Sequence, residues 1–304
     1  MPAIKERLQD FNLRGITPTL RAMFYALVSR GVIPNDQEKY QYLSHFTARA
    51  REGDELPINC FADQSRMVIQ DFNDIYQSPE QYVERGIKYL KNAAFQYHDA
   101  IPRWHKQPEY VEVWIEKDAL SGTFKSILKN RQVKIVPTRG FSSIGFSYNN
   151  IQRLKQFQVE GKNIHILYFG DLDPSGEVIE EVIDKKLIEY GIFDVDFKRI
   201  AVTEEQTRQF NLPHNPDPET FVKLKKDTRA KSFMSRHNGK LFQIEVDALQ
   251  AYAPEEFKIL VQQSVDKYFD QDIYNQVLSD SKHSEEGINR LVKKQTKSLV
   301  KNLG

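Results

Sequence analysis

Three carboxylates stand where two apolar runs end. Glu116 follows Val111-Glu112-Val113-Trp114-Ile115, and Asp171 and Asp173 follow Ile164-His165-Ile166-Leu167-Tyr168-Phe169 within Gly170-Asp171-Leu172-Asp173-Pro174-Ser175-Gly176. Residues two apart in an extended chain point to the same side, so Asp171 and Asp173 can face one point. Gathered carboxylates repel and raise one another's pKa unless a cation neutralises them. Oxygen ligands without histidine or cysteine favour Mg2+, with Mn2+ the alternative, and such ions retain waters and bridge phosphate oxygens. The competing reading is structural: the two aspartates cap a helix that begins at Pro174, and Glu116 is a solvated strand end. Placement of all three directly after strands favours the metal.

Such placement needs a parallel sheet, in which ligands bind at the carboxyl ends of the strands. The runs Val111–Ile115, Val133–Val136 and Ile164–Phe169 are short and rich in β-branched residues, Phe197–Val202 continues the series and Phe242–Val246 adds another strand. Segments of helical length separate them, which predicts an α/β fold with helices on both faces of the sheet. Earlier in the chain the texture is helical. Thr17-Pro18 starts a helix carrying Leu20, Met23, Phe24 and Leu27 on one face, and Gly31 ends it. Asn35 or Asp36 caps a second helix with Tyr40, Leu43, Phe46 and Thr47, giving a helix-turn-helix pattern. Leu56–Ile69 has room for a small hairpin or wing, and a helix from Pro79 to Ala100 follows. The expectation is a winged-helix (CAP-like) domain over 1–105, then a parallel-sheet domain over 106–304 that ends in a helical extension, α+β taken together.

The acidic constellation resembles the Toprim domain of type IA and type II topoisomerases, bacterial primases and several nucleases, with Glu116, Asp171, Asp173 and Gly176 at the matching positions. Thr19-Leu20-Arg21-Ala22-Met23-Phe24-Tyr25 is similar to the motif of the topoisomerase VI A subunit and its meiotic double-strand-break relatives. There an arginine precedes, by four residues, a tyrosine that attacks DNA. Winged helix followed by Toprim is that family's order, and Pro137-Thr138-Arg139-Gly140-Phe141 occupies the place of its Thr-Gly-Lys-Gly-like loop. The resemblance implies that Tyr25 is the nucleophile and that Glu116, Asp171 and Asp173 hold the metal. It also implies a homodimer on double-stranded DNA, in which the tyrosine of one subunit works with the metal site of the other, and a separate ATPase B-type subunit as a further partner. The chain departs from the family in its Phe-Tyr where relatives often have Tyr-Tyr, in the short stretch before its first helix-turn-helix, and in carrying no ATPase domain.

Tyrosine titrates near pH 10 and is a weak nucleophile at neutral pH. Arg21 and Tyr25 share a helix face, so the guanidinium can stabilise the phenolate or the charge on the phosphate under attack. Transesterification would store the phosphodiester energy in a phosphotyrosine bond and leave a free 3′ hydroxyl. The rival reading makes Tyr25 a core or interface aromatic, since it stands beside Phe24 in an apolar helix.

Lysine plus arginine (43) and aspartate plus glutamate (42) nearly cancel, so any basic surface is local. Lys223, Lys225, Lys226, Arg229, Lys231, Arg236 and Lys240 stand against Asp227 alone. Of these, Lys225, Lys226, Arg229 and Lys231 are candidate phosphate contacts together with Arg139, and a solvated, flexible loop is the alternative. His45, Arg49 and Arg51 on the second helix are candidate recognition residues. A solitary Cys60 excludes an intramolecular disulfide and a multi-cysteine zinc site, and fits a reducing compartment. Lys5, Glu6, Arg7, Asp10 and Arg14 interrupt the region where a signal peptide needs an apolar run, and no stretch is long enough to span a membrane. These features predict a soluble, cytoplasmic protein, nucleoid-associated if the DNA reading holds.

The sequence has no phosphate-binding Walker loop, no Gly-x-Gly-x-x-Gly and no His-Glu-x-x-His. Gly140–Gly145 lacks nucleophile-elbow spacing, and the seven histidines show no metal-ligand spacing, with His165 expected in the core. Three functions follow in order: tyrosine transesterification of DNA, metal-dependent hydrolysis of DNA with Tyr25 structural, and DNA binding or regulation without catalysis.

Overall fold

Local capping sets the first helices of the computed structural model, which describes residues 1–62, 78–92, 103, 104, 106–138 and 144–303. Helix α1 (Pro2–Leu13) carries proline in its first turn. Helix α2 (Leu20–Ser29) begins after Thr19, whose hydroxyl accepts the Ala22 amide, so the cap lies later than the Thr17-Pro18 start. Asp36 caps α3 (Gln37–Glu52) by accepting the Lys39 amide at 2.8 Å. Ser78 caps α4 (Pro79–Lys91). The hairpin expected over Leu56–Ile69 lies partly outside the described residues; its described part, 56–62, is turn and bend.

Among the described residues four strands form one sheet: β1 (Glu109–Ile115), β2 (Lys134–Pro137), β3 (Asn163–Phe169) and β4 (Val195–Ala201). Their spatial order is β2-β1-β3-β4 and every neighbouring pair is parallel. Helix α5 (Ser121–Ile127) connects β1 to β2, α6 (Ile144–Val159) connects β2 to β3, and α7 (Ile179–Glu189) connects β3 to β4. After β4 come α8 (Glu204–Gln209), α9 (Pro218–Lys226), α10 (Ala230–Arg236), α11 (Val246–Tyr252), α12 (Pro254–Asp266) and α13 (Gln271–Leu303).

Alternation along the strands divides the core in two. Tyr110, Trp114, Ile164, Ile166, Tyr168 and Phe197 face one way and pack with Leu154 of α6 and with Ile183 and Leu187 of α7. On the opposite face Phe169 meets Phe124 of α5 with centroids 4.9 Å apart, and Phe124 meets Phe257 of α12 at 5.7 Å. Helices therefore cover both faces, as the βα alternation predicts. Trp114 has a polar anchor as well. Glu112, fully buried, accepts from Tyr110 Oη, Trp114 Nε1 and both Nε and Nη2 of Arg153, so its charge is paired rather than stranded.

The run Phe242–Val246 is not a fifth strand. Ile244 makes a single antiparallel bridge to Leu172, and the Val246 amide donates to Asp171 Oδ1 at 3.1 Å, where α11 begins. Its two polar side chains are taken by tertiary contacts, Gln243 with Asp173 and Asn215, and Glu245 with Tyr25, Lys117 and Arg21.

Chain contacts define two compact units, Met1–Arg66 with Glu109–Tyr268 and Met67–Pro108 with Phe269–Gly304. In the first, α2 packs along α11 next to the sheet. Six consecutive α2 residues, Ala22 to Leu27, are buried, as in a helix surrounded on all sides. In the second, Gln107 and Asp270 exchange hydrogen bonds of 2.8 and 2.9 Å, and Trp104 meets Phe269 edge-on. The chain passes between the units at Arg66/Met67, Pro108/Glu109 and Tyr268/Phe269. Among the described residues no helix is long and apolar enough to cross a membrane.

Candidate active site

The registered ends of β1 and β3 place the acidic loops side by side. Ile115 pairs with Phe169, and the Glu116 amide donates to the Phe169 carbonyl at 3.0 Å. The Asp171 amide then donates to Glu116 Oε2 at 2.7 Å. Asp173 does what a cap does: Oδ1 accepts the Gly176 amide at 2.7 Å and Oδ2 accepts from Gln243 Nε2 at 2.8 Å. Arg199 of β4 binds the loop from beneath, donating to the carbonyls of Gly170, Asp171, Gly176 and Val202. A Cβ on Gly176 would collide with the Asp171 carbonyl oxygen, which explains glycine there.

Arg21 and Tyr25 reach this edge through two other side chains. The Tyr25 hydroxyl donates to Glu245 Oε2 at 2.8 Å, and Arg21 Nε lies 3.2 Å from the same oxygen. Lys117 Nζ donates to Glu245 Oε1 at 2.7 Å and lies 2.8 Å from Asp171 Oδ2 and 3.7 Å from Asp247 Oδ2. Thr19, the α2 cap, donates to Asp247. A continuous polar path thus runs from Tyr25 through Glu245 and Lys117 to Asp171.

The charges are uneven along this path. Burial opposes ionisation of Glu245, but Lys117 and Arg21 hold its carboxyl below the usual range. Burial drives Asp171 well above its ordinary value, with Glu116 and Glu245 adding to the rise and Lys117 resisting it. Burial and then Asp173 raise Glu116. Tyr25 is fully buried; burial and Glu245 raise its phenol against the pull of Arg21. In this arrangement Tyr25 is a protonated hydrogen-bond donor.

A divalent cation fits part of the expected ligand set. Asp171 Oδ2 is a buried acceptor without an aligned hydrogen-bond donor although Lys117 Nζ lies 2.8 Å away, and burial raises both Glu116 and Asp171. Glu116 opens into a cavity of about 440 Å³ lined also by Lys117, Thr138, Tyr168 and Gly176. Asp173 spends one lone pair of each oxygen on holding the loop. A second cavity, about 290 Å³, is lined by Arg21, Tyr40, Arg51, Phe61, Lys117 and Glu245.

Another set of side chains has metal-ligand spacing. Among the described residues Glu177, Glu204 and His237 bring one ligand atom each within 4.8 Å of one another and could hold a metal ion. His237 Nε2 lies 2.5 Å from Glu177 Oε1 and Nδ1 lies 2.8 Å from Glu204 Oε1, while Arg236 grips the other Glu177 oxygen. The sequence separates these residues onto three elements with no common period, so histidine spacing carries no sign of them. His165 is not an apolar core residue either: it lies between Glu109 and Asp196 and stacks on Tyr268.

The basic candidates divide. His45 and Arg49 are exposed on α3, whereas Arg51 turns back to the Thr47 carbonyl. Lys225, Lys226 and Lys231 are exposed; Arg229 closes two hydrogen bonds of 2.8 Å on Asp227. Arg139 lies outside the described residues. Comparison with protein-family models, curated proteins and solved structures finds no match.

Proposed function

We propose that the chain is a divalent-metal-dependent enzyme that breaks the backbone of double-stranded DNA by tyrosine transesterification, in the manner of the topoisomerase VI A subunits it resembles, and acts as a homodimer. The observation that carries this reading is the path Tyr25–Glu245–Lys117–Asp171. It ties the arginine–tyrosine pair to a strand-end carboxylate with an open lone pair.

Glu245, which already accepts the Tyr25 hydroxyl, would take the phenolic proton as the Tyr25 oxygen bonds to phosphorus. The bond from phosphorus to the 3′ oxygen then breaks, leaving a tyrosine 5′-phosphodiester and, after protonation from water, a 3′ hydroxyl. Arg21 would stabilise the charge on the phosphate. Glu116 and Asp171 would hold the cation, Mg2+ or Mn2+, which supplies charge stabilisation for the leaving oxygen. Asp173 and Arg199 keep the loop in place. Attack requires α2 to part from α11 far enough to expose Tyr25. A separate ATPase B-type subunit is the partner that the resemblance implies for strand passage, and a cytoplasmic, nucleoid-associated location accords with the reading.

The burial of Tyr25 favours a second reading, in which the same carboxylates support hydrolysis and Tyr25 is structural. Incubation of supercoiled plasmid and Mg2+ with wild type, Tyr25→Phe and Asp171→Ala separates the two on a denaturing gel. Protein covalently joined to DNA, absent in both variants, is the expected result. Cleavage that survives Tyr25→Phe selects hydrolysis, and DNA binding without cleavage under any metal overturns both.

A further inference from the structure

Lys117 stands between the two halves of the site. Its ammonium donates to Glu245 at 2.7 Å, yet with Asp171 it forms an ion pair at 2.8 Å that lacks hydrogen-bond alignment. The Asp171 oxygen is therefore neutralised without being satisfied. The lysine side chain is 30% exposed and lines both cavities. Carboxylates also outnumber cations around it: Asp171, Glu245 and Asp247 share Lys117 and Arg21, and Glu116 adds another beside Asp171.

A cation held by Glu116 and Asp171 would lie next to this ammonium, since Lys117 follows Glu116 directly and touches Asp171. Like charges at that range inside a protein repel strongly. The two compete for Asp171 Oδ2. Resting on the metal reading above, we propose that Lys117 is the resident counter-ion of Asp171, a positioning residue that a divalent cation must displace, and so the group that holds metal affinity down in the closed site. Its hydrogen bond to Glu245 gives the ammonium an anchor after displacement. Glu245 stays paired and remains beneath Tyr25 whether or not the cation is bound.

The test is titration of the full-length protein with Mn2+, following the electron paramagnetic resonance signal of the free ion, in wild type, Lys117→Met and Lys117→Arg. Removal of the competing charge should tighten Mn2+ binding at least about tenfold, equivalent to ~1.4 kcal/mol. Lys117→Arg, which keeps the charge, should stay close to wild type, and adding Asp171→Asn to Lys117→Met should abolish the gain. A merely structural lysine would lose stability on substitution and gain no affinity. Lys117→Gln, which leaves a polar group among the same carboxylates, gives the same comparison if Lys117→Met fails to fold. Equal or weaker binding in folded Lys117→Met or Lys117→Gln overturns the inference and leaves the metal reading standing; binding in none of the proteins overturns both.

Discussion

The Tyr25 hydroxyl donates a 2.8 Å hydrogen bond to Glu245 across 220 positions of sequence. Arg21, from the same helix as Tyr25, and Lys117, from the loop after β1, hold the same carboxylate. One side chain of the α11 cap thus joins the N-terminal helices to the carboxyl edge of the sheet. Burial, and then this carboxylate, keep the phenol protonated.

Glu245→Ala is expected to be the most damaging single change in this network. It leaves Arg21 and Lys117 without their shared acceptor, and removing one partner of a buried ion pair costs about 3–5 kcal/mol. Urea unfolding measures the loss. A change below about 1 kcal/mol would show that the network rearranges freely around the gap.

Tyr25→Phe removes one donor while both cations remain on Glu245, so a smaller loss of about 1–2 kcal/mol is expected at neutral pH. The pH dependence has a definite sign. Burial and Glu245 raise the folded phenol above its ordinary value of 10.0. The protonated phenol therefore contributes its full stability below pH 10, and this contribution falls at higher pH, where the unfolded chain releases the proton first. The stability gap between wild type and Tyr25→Phe should be flat below about pH 10 and narrow above it. A gap that widens there would contradict a buried, hydrogen-bonded phenol.

Gly176→Ala should destabilise the acidic loop by about 1–3 kcal/mol, the usual range for overpacking. The added methyl meets the Asp171 carbonyl oxygen and stands 3.1 Å from the Arg199 guanidinium. Thermal unfolding reads the effect. A variant as stable as wild type would mean that the loop has slack.

If DNA binds along the exposed lysines, Lys225→Ala, Lys226→Ala and Lys231→Ala should each reduce the slope of log K against log salt by about 0.9. Arg229→Ala should change it less, because Asp227 already occupies that guanidinium. Fluorescence anisotropy of a labelled duplex at several salt concentrations provides the slopes. Equal effects from all four substitutions would show that DNA displaces Asp227.

Much of the architecture is legible in short stretches of sequence. The runs at β1, β2, β3 and β4, the Asp36 cap and the position of Glu116 and Asp171 after strands all follow from neighbouring residues. Phe242–Val246 alternates apolar and polar residues and predicts a strand for the same reason. The polar members of that run are taken by Asp173 and Tyr25, partners 70 and 220 positions away, so the pattern serves a connection instead.

What this sequence determined by itself was the set of elements and the strand ends that carry acids, because hydrophobic periodicity and capping act over a few residues. Only the tertiary structure decided which acids do what. It set Asp173 to hold the loop, left Asp171 Oδ2 unsatisfied, put Lys117 beside it, joined Tyr25 to Glu245, and gathered Glu177, Glu204 and His237. Charged side chains carry no period of their own. Their partners are chosen by desolvation, which acts only once the helices have closed over the edge of the sheet.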